Sequence, residues 1–468
     1  MSGMRGRLTR VVLIFIALLV LVAAQEVRVQ IAQQATISER PGNPRRSLSN
    51  EHRGALLDAA GNQLALTKGT RRVYPSGTAL AQLVGYASSQ YGESGLESAL
   101  DSVLAAPLPT TSGMDLNSLF HQTGQGASLT GGDVVLTLRA DIAKVVDAAL
   151  PPDIRGAAVV MDPRNGAILA AVNRPTFDPN DLAGAWKTLR NSPTSPLLDR
   201  AFAGLYPPGS TFKMVTASAA LDSGVVVPAD TFTDPGYFAI DRFRVQNDRG
   251  EITGTQDLTG AFALSSNVDF AQIGLRLGLD GFYDYLHRFH VGDDLEVAAP
   301  SSRDEVPAKD TVIPSELAQM SFGQGGLAVT PLRMALVGST IANEGVLMRP
   351  QLVKEFRFPG GKRLSVPPAV WERVMSQTTA DQLRTMMIAV VRNGTGTAAR
   401  IPGVTVAGKT GTGTHIGGAP DAWFVCFAPA ERPRLVVAVI VEDAGYGGAV
   451  AAPIARNIMS ATLPMYMK

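Results

Sequence analysis

Three short stretches of this chain hold residue types that could make and break an acyl bond. The first is Ser210-Thr211-Phe212-Lys213, preceded by Tyr206-Pro207-Pro208-Gly209 and followed by the Ala-rich apolar run Met214 to Leu221. Two prolines and a glycine make a turn, and helical composition continues until Gly224 can stop it. Ser210 and Lys213 are then i,i+3 neighbours on one face, where a lysine kept neutral by a dry pocket could take the serine's proton. A serine at a helix start also has backbone N–H groups nearby to hold a developing oxyanion. Alone the pattern is weak, because S-x-x-K arises by chance in most long chains and a capped core helix with a surface lysine reads the same way. The second stretch is Ser265-Ser266-Asn267, small polar residues between apolar segments. The third is Lys409-Thr410-Gly411-Thr412, which ends the strand-like run that starts at Val404.

Other chemistries are weaker. Gly403 to Thr410 satisfies the P-loop pattern, but its β-branched residues fall inside the loop positions, and Gly411-Thr412-Gly413-Thr414-His415 cannot start a stable helix. Cys426 is the one cysteine and lies in the aromatic strand-like run Trp423 to Phe427, so it reads as a small core hydrophobe, and a single cysteine excludes an internal disulfide framework and most thiolate metal sites. His287 and His290 have i,i+3 spacing but no acidic partner in a recognisable pattern, and no metal is expected. A net charge of +1 without a long basic run argues against a nucleic-acid partner.

The elements that must position these stretches are legible along the chain. With 468 residues, 45% hydrophobic and 18% charged, there is material for two or three domains. Arg5, Arg7 and Arg10 precede the apolar run Val11 to Ala24, so the body of the protein should be extracytoplasmic. Fourteen helical residues reach only about 21 Å, short of a roughly 30 Å hydrocarbon core, which leaves both anchor and cleaved signal open. A polar linker follows to about Asn50. Residues 53–66 read as two short strands about a Gly/Asn turn, and Leu96, Leu100 and Leu104 mark one face of a short helix. Residues 105–131 look like a loop. A strand at 134–138 and a helix at about 140–150 should open the second module, followed by a hairpin about Asp162-Pro163-Arg164-Asn165-Gly166. Two strands, Ala422 to Pro429 and Leu435 to Glu442, and a helix from about Ala451 to Ala461 end the chain. Trp423 reads as a core aromatic, Gln324 and its glycines as a loop beneath the site, and Glu442-Asp443 as a solvated strand end.

Taken together and in this order, the three stretches match the S-x-x-K, S-x-N and K-T-G set of penicillin-binding proteins and serine β-lactamases. Asp178-Pro179-Asn180, Phe322-Gly323-Gln324-Gly325, Val329-Thr330-Pro331, Asn393-Gly394-Thr395-Gly396-Thr397-Ala398 and Ala422-Trp423-Phe424 resemble that family too. The chain most resembles class B, monofunctional penicillin-binding proteins, especially the shorter actinobacterial PbpA-like type. The likeness implies an α+β fold: an antiparallel five-stranded sheet flanked by helices, a smaller α+β pedestal and an N-terminal membrane segment. The expected division is 1–30 for cytoplasmic tail and anchor, 31–150 for a dimerisation-like pedestal and 151–468 for the transpeptidase domain.

The resemblance also implies roles. Ser210 would attack a D-Ala carbonyl of a peptidoglycan stem peptide, or a β-lactam such as penicillin, with Lys213 as its base. Ser265 would relay the proton to the leaving amine, and Asn267 would hold Lys213 and the substrate amide. Lys409 would meet the substrate carboxylate, while Thr410, Gly411 and Thr412 form the strand along which substrate lies, and the N–H groups of Ser210 and Thr412 would form the oxyanion hole. No cofactor is implied. The implied setting is the bacterial cell membrane, single-pass with an extracytoplasmic catalytic domain, beside a glycan polymerase of the RodA/FtsW kind. The alternatives are a D,D-carboxypeptidase or β-lactamase, and a non-catalytic β-lactam sensor or scaffold.

Overall fold

The structure is a computed structural model that describes residues 52–105 and 130–466. The expected membrane segment, the linker to Asn50 and all but the ends of the 105–131 loop lie outside these residues.

The sheet of the larger module has five antiparallel strands: β1 (Gly156–Asp162), β2 (Ala167–Arg174), β3 (Ala407–Gly413), β4 (Asp421–Ala428) and β5 (Leu435–Val441), in the order β3-β4-β5-β1-β2. Every residue of β4 and β5 is buried. A strand buried on both faces has no reason to alternate, hence the unbroken Leu435-Val-Val-Ala-Val-Ile-Val441. The covering helices are α4 (Pro331–Ala342), whose Gly338 comes so near the sheet that a Cβ there would lie 2.7 Å from Val425, and α6 (Ala451–Tyr466). The expected hairpin about Asn165-Gly166 is β1–β2, with Gly166 at φ +74.

The helical part is built on α1 (Lys213–Asp222), buried along nearly its whole length, which packs on α3 (Asn267–Arg288). A short helix, α2 (Leu258–Leu264), leads into α3, and α5 (Gln377–Asn393) lies between α2 and the edge strand β3. Two small hairpins, formed by Thr231–Asp234 with Gly254–Asp257 and by Tyr237–Ile240 with Phe243–Gln246, stand at the start of α3.

The pedestal has a six-stranded sheet. Leu56–Leu57, Gln63–Lys68, Arg71–Val73 and Asp133–Leu136 supply four strands, and Val353–Arg357 and Arg363–Ser365 extend it beyond Asp133–Leu136. The strand expected to open the second module therefore belongs to this first sheet. A single cut at residue 150 does not separate the two sheets, because two pedestal strands come from a segment some 200 residues later. Leu96, Leu100 and Leu104 are buried as the spacing predicts. Arg53, with almost no exposed surface, is held by Glu97 at 2.7 Å and Asp101 at 2.6 Å, and Arg72 meets Glu97 from the other side at 2.7 Å. Asn180, from the Asp-Pro-Asn motif, docks the pedestal to the larger module. Its amide accepts from Tyr74 N at 2.9 Å and donates to Tyr74 O at 3.1 Å.

Candidate active site

Ser210 sits in a 3₁₀ turn, Gly209–Phe212, that leads directly into α1 at Lys213. The turn is pressed against β3. Gly209 has φ +51, and a Cβ on it would lie 2.3 Å from Thr412 O, so only glycine lets the chain reach Ser210 this way. From below, Gly209 N donates to Gly323 O at 2.9 Å, and Gly323 has φ +84. Gln324 closes the loop, its Nε2 3.4 Å from Thr412 O and its Oε1 accepting from Thr414 at 2.9 Å. Trp423 is fully buried, donates from Nε1 to Pro207 O at 3.0 Å and meets Tyr206 edge-on. It is the core aromatic expected, and it braces the turn that carries Ser210.

Lys213 and Lys409 have no exposed surface. Lys213 Nζ donates to Ser265 O at 2.5 Å and to Asn267 Oδ1 at 2.8 Å, and lies 3.3 Å from Ser265 Oγ. Lys409 Nζ donates to the same hydroxyl at 2.7 Å and to Thr410 O at 3.2 Å. Burial disfavours an ammonium, and it lowers Lys213 from 10.5 to about 7 against the pull of Asp248, Asp269 and Asp234. Lys409 is also pushed well below its ordinary value, by burial first and then by Lys213. Ser210 Oγ makes no hydrogen bond among the described residues; it lines a cavity of about 270 Å³ with Asn267 and Thr412. Thr412 O faces Gln324 and the Ser210 turn, and in an extended strand the N–H of a residue points the same way as its C=O. Thr412 N–H is thus aimed along the edge where Ser210 lies. The three expected stretches meet here, with Thr410 Oγ1 tied to Thr395 Oγ1 at 2.6 Å and Gly411 packed on Thr211.

The geometry of Ser265 follows from local chain. It ends α2 in the left-handed region at φ 64, a conformation that side chains rarely adopt, while Ser266 N returns to Ala261 O at 3.0 Å. Ser266 then caps α3, its Oγ accepting from Asp269 N at 3.0 Å. What holds this turn was not foreseen. Asn247 Oδ1 accepts from Asn267 N at 2.7 Å and Val268 N at 3.3 Å, its Nδ2 donates to Asp234 and to Glu251 O, and Asp234 also accepts from Ser266 Oγ at 3.2 Å and Thr253 Oγ1 at 2.6 Å. Burial works against the Asp234 charge, but donors on Thr253, Gly236, Asn247 and Ser266 outweigh it and hold its carboxyl below the usual range. The one sequence signal was Asp234-Pro235-Gly236, a turn motif. Glu442 also departs from expectation. It accepts from Arg200 Nε at 2.6 Å and Tyr206 OH at 2.8 Å, so it is a joint behind the nucleophile turn and not a solvated strand end. Cys426 is buried, and burial pushes its thiol up to about 12.

His415, Asp421 and Asp443 bring one potential metal-ligand atom each within 4.8 Å of one another, and Arg155 also pairs with Asp443. None of the three lines the Ser210 cavity.

A serine on a turn against a strand edge, two buried lysines sharing a second serine and an Asn holding one of those lysines define the class of active-site-serine acyl-transfer proteins. Comparison gives the family. The penicillin binding protein transpeptidase domain matches residues 156–460, and the penicillin binding protein A dimerisation domain matches residues 53–129. The chain is 35% identical to the peptidoglycan D,D-transpeptidase PbpA of Mycolicibacterium smegmatis, over 98% of this chain and 99% of that one. Among solved structures, a D,D-transpeptidase domain of a peptidoglycan glycosyltransferase from Eggerthella lenta superposes with a TM-score of 0.79 at 35% identity, covering 89% of this chain and 99% of the other. The penicillin G acyl-enzyme of penicillin-binding protein A from Mycobacterium tuberculosis gives 0.77 at 32% identity, covering 88% and 100%. The chain belongs to the penicillin-binding protein transpeptidase family.

Proposed function

We propose that this protein is an acyl-serine D,D-transpeptidase that cross-links peptidoglycan stem peptides and is acylated by β-lactams at Ser210. The observation that carries the reading is Lys213, fully buried, poised near neutrality and held by Ser265 and Asn267 one helical turn from Ser210. Neutral Lys213 takes the Ser210 proton as Oγ attacks the penultimate D-Ala carbonyl, and the oxyanion is received by the N–H groups of Ser210 and Thr412. Ser265, bonded to Lys409 and within reach of Lys213, passes a proton to the departing D-Ala amine. Asn267 orients Lys213 and the substrate amide. Lys409 supplies positive charge toward the substrate carboxylate, and substrate lies along the free edge of β3 at Thr410, Gly411 and Thr412. An amine on a neighbouring stem then takes the acyl group.

In the same reading, Val11 to Ala24 anchors the chain in the bacterial membrane as a single pass, with Arg5, Arg7 and Arg10 cytoplasmic, beside a RodA/FtsW-like glycan polymerase. N-terminal sequencing of the native protein decides the anchor, since a mature chain starting near Gln25 would mean cleavage. The catalytic proposal is tested by intact-protein mass spectrometry with penicillin. One drug adduct is expected on the wild type and none on Ser210→Ala; an adduct on that variant would overturn the assignment.

A further inference from the structure

The cavity beside Ser210 is also lined by Phe243 and Gln246 of the second small hairpin and by Asp248 of the turn Asp248–Gly250 that follows it. Its ionisable lining residues are Arg244 and Asp248. The Arg244 guanidinium is engaged by the Tyr237 ring, 3.8 Å from its centroid. The Asp248 carboxylate is exposed, and among the described residues no hydrogen bond or ion pair occupies it. Its field reaches inward all the same. It acts on Lys213 more strongly than Asp269 or Asp234 does, and on Lys409 as well.

Asp248 does not hang on a loose loop. Residue 247 before it is clamped to the start of α3 and to Asp234. Residue 249 after it, at φ +57, lays its guanidinium 4.1 Å from the ring centroid of Tyr446, on the loop that follows β5. The turn Asp248–Gly250 therefore reaches across the cleft and is fixed at both sides.

We propose that Asp248 is the counter-charge of the acyl-acceptor subsite, receiving the protonated amine that captures the acyl group on Ser210. This deepens the transpeptidase reading and rests on it. A peptide's side-chain amine is a cation in neutral water, since a lysine-type amine titrates at about 10.4. A donor stem ends in a carboxylate, which Asp248 repels and Lys409, buried behind the β3 edge, attracts, so the two charges favour different stems. Water carries no charge and gains nothing from Asp248. Once seated, the ammonium gives one proton to solvent through neutral Lys213, and its nitrogen attacks the ester carbonyl. The C–N bond forms, the C–Oγ bond breaks, and the second proton goes to Ser210 Oγ, restoring the hydroxyl. One proton is released per amide formed.

The test uses the full chain, a D-alanyl thioester as donor and two acceptors at pH 8, above the Lys213 titration. Nα-acetyl-lysine amide is a cation there, and hydroxylamine is uncharged. The readout is the ratio of the two capture rates. Asp248→Asn should lower that ratio about tenfold, Asp248→Glu should retain it, and added salt should lower it in the wild type but not in Asp248→Asn. An unchanged ratio in Asp248→Asn would overturn the subsite while leaving the acyl-serine reading intact. Failure of the wild type to form any acyl-enzyme from the donor would overturn both.

Discussion

Lys409 and Lys213, neither with any exposed surface, converge on one hydroxyl, that of Ser265, at 2.7 and 3.3 Å. Two ammoniums that close, away from water, would repel each other and lose their hydration, so the arrangement favours one charge on the pair at a time. Ser265 can accept from the charged lysine and offer its own proton to the neutral one, which is what a relay between a base and a leaving group requires.

The first expected outcome concerns pH. Lys213 must be neutral to act as a base, and burial lowers it to about 7, so acylation by penicillin should rise as pH increases through about 7 and level off above. Its folded value lies below its ordinary 10.5, so between about 7 and 10.5 the unfolded chain binds more protons and stability from this group rises with pH. Lys213→Met should abolish acylation, remove that slope and gain about 1–3 kcal/mol at pH 6, because an apolar side chain of similar volume escapes the desolvation cost. Stopped-flow acylation and urea melts at pH 6 and 9 check both. Acylation by the Met variant at the wild-type rate would remove the lysine from the chemistry.

The second concerns the clamp on the Ser265-Ser266-Asn267 turn. Asn247→Ala leaves the N–H groups of Asn267 and Val268 without their acceptor and frees Asn267 from its anchor. The lost bonds should cost about 1–3 kcal/mol, and misplacing Asn267 Oδ1 relative to Lys213 should slow acylation at least about tenfold. Second-order acylation constants, with thermal melts to confirm folding, test this. A folded variant acylating normally would show that the turn holds its shape unaided.

What the sequence revealed and what it hid divide along physical lines. Ser210, Lys213, Ser265, Asn267, Lys409 and Thr410 were visible because each belongs to a short motif and the three motifs, in order, resemble the family's set; helical spacing alone pointed only to the Ser210–Lys213 pair. The five-stranded sheet was implied by the resemblance, and strands such as β4 and β5 were visible in themselves because strands buried on both faces read as apolar runs. Asn247 and Asp234 were not, because they reach the Ser266 turn across 20 to 32 residues of sequence through a fold no periodicity encodes. Val353–Arg357 was hidden for the same reason, since a strand's pattern does not say which sheet it joins. Glu442 was misread because a carboxylate after a strand looks solvated until Arg200 and Tyr206 are seen to close on it.

That misreading leads to the third outcome. Arg200 is nearly buried, and Glu442 supplies its counter-charge while accepting from Tyr206, four residues before Ser210. Glu442→Ala should cost about 2–4 kcal/mol, somewhat under the usual penalty for breaking a buried pair because the Glu442 side chain keeps 16% exposure and Arg200 keeps its bonds to Thr194 O and Ser195 O. Glu442→Gln, which can still accept one bond, should cost less. Equal stability of all three proteins in urea would return Glu442 to the surface.

The last outcome is a long-lived penicillin acyl-enzyme, which separates a transpeptidase from a β-lactamase on one fold. Fast hydrolysis requires a carboxylate placed to activate water at the ester, and class A β-lactamases use a glutamate on a loop between the second and third motifs. In that interval this chain has acidic residues, among them Asp280, Glu296, Glu305 and Glu316, and none in the interval lines the Ser210 cavity. Asp280 pairs with Lys309 at 2.7 Å, and Glu296 pairs with Arg349. Asp269 and Asp234 lie buried under the Ser266 turn and do not line the cavity; Asp234 accepts from Asn247, Thr253 and Ser266, while Asp269 accepts from Gln256 through Oδ2 and has no partner for its buried Oδ1 among the described residues. Among the described residues Asp248 is the one carboxylate that lines the cavity, and it is solvent-exposed. With penicillin attached, the drug's fused ring stays on the carbonyl as the leaving group would not, so it blocks the approach of an amine, and no positioned base drives water. Release of hydrolysed drug from pre-acylated protein at neutral pH should therefore take many minutes or longer. Turnover many times per second would place the protein with the β-lactamases.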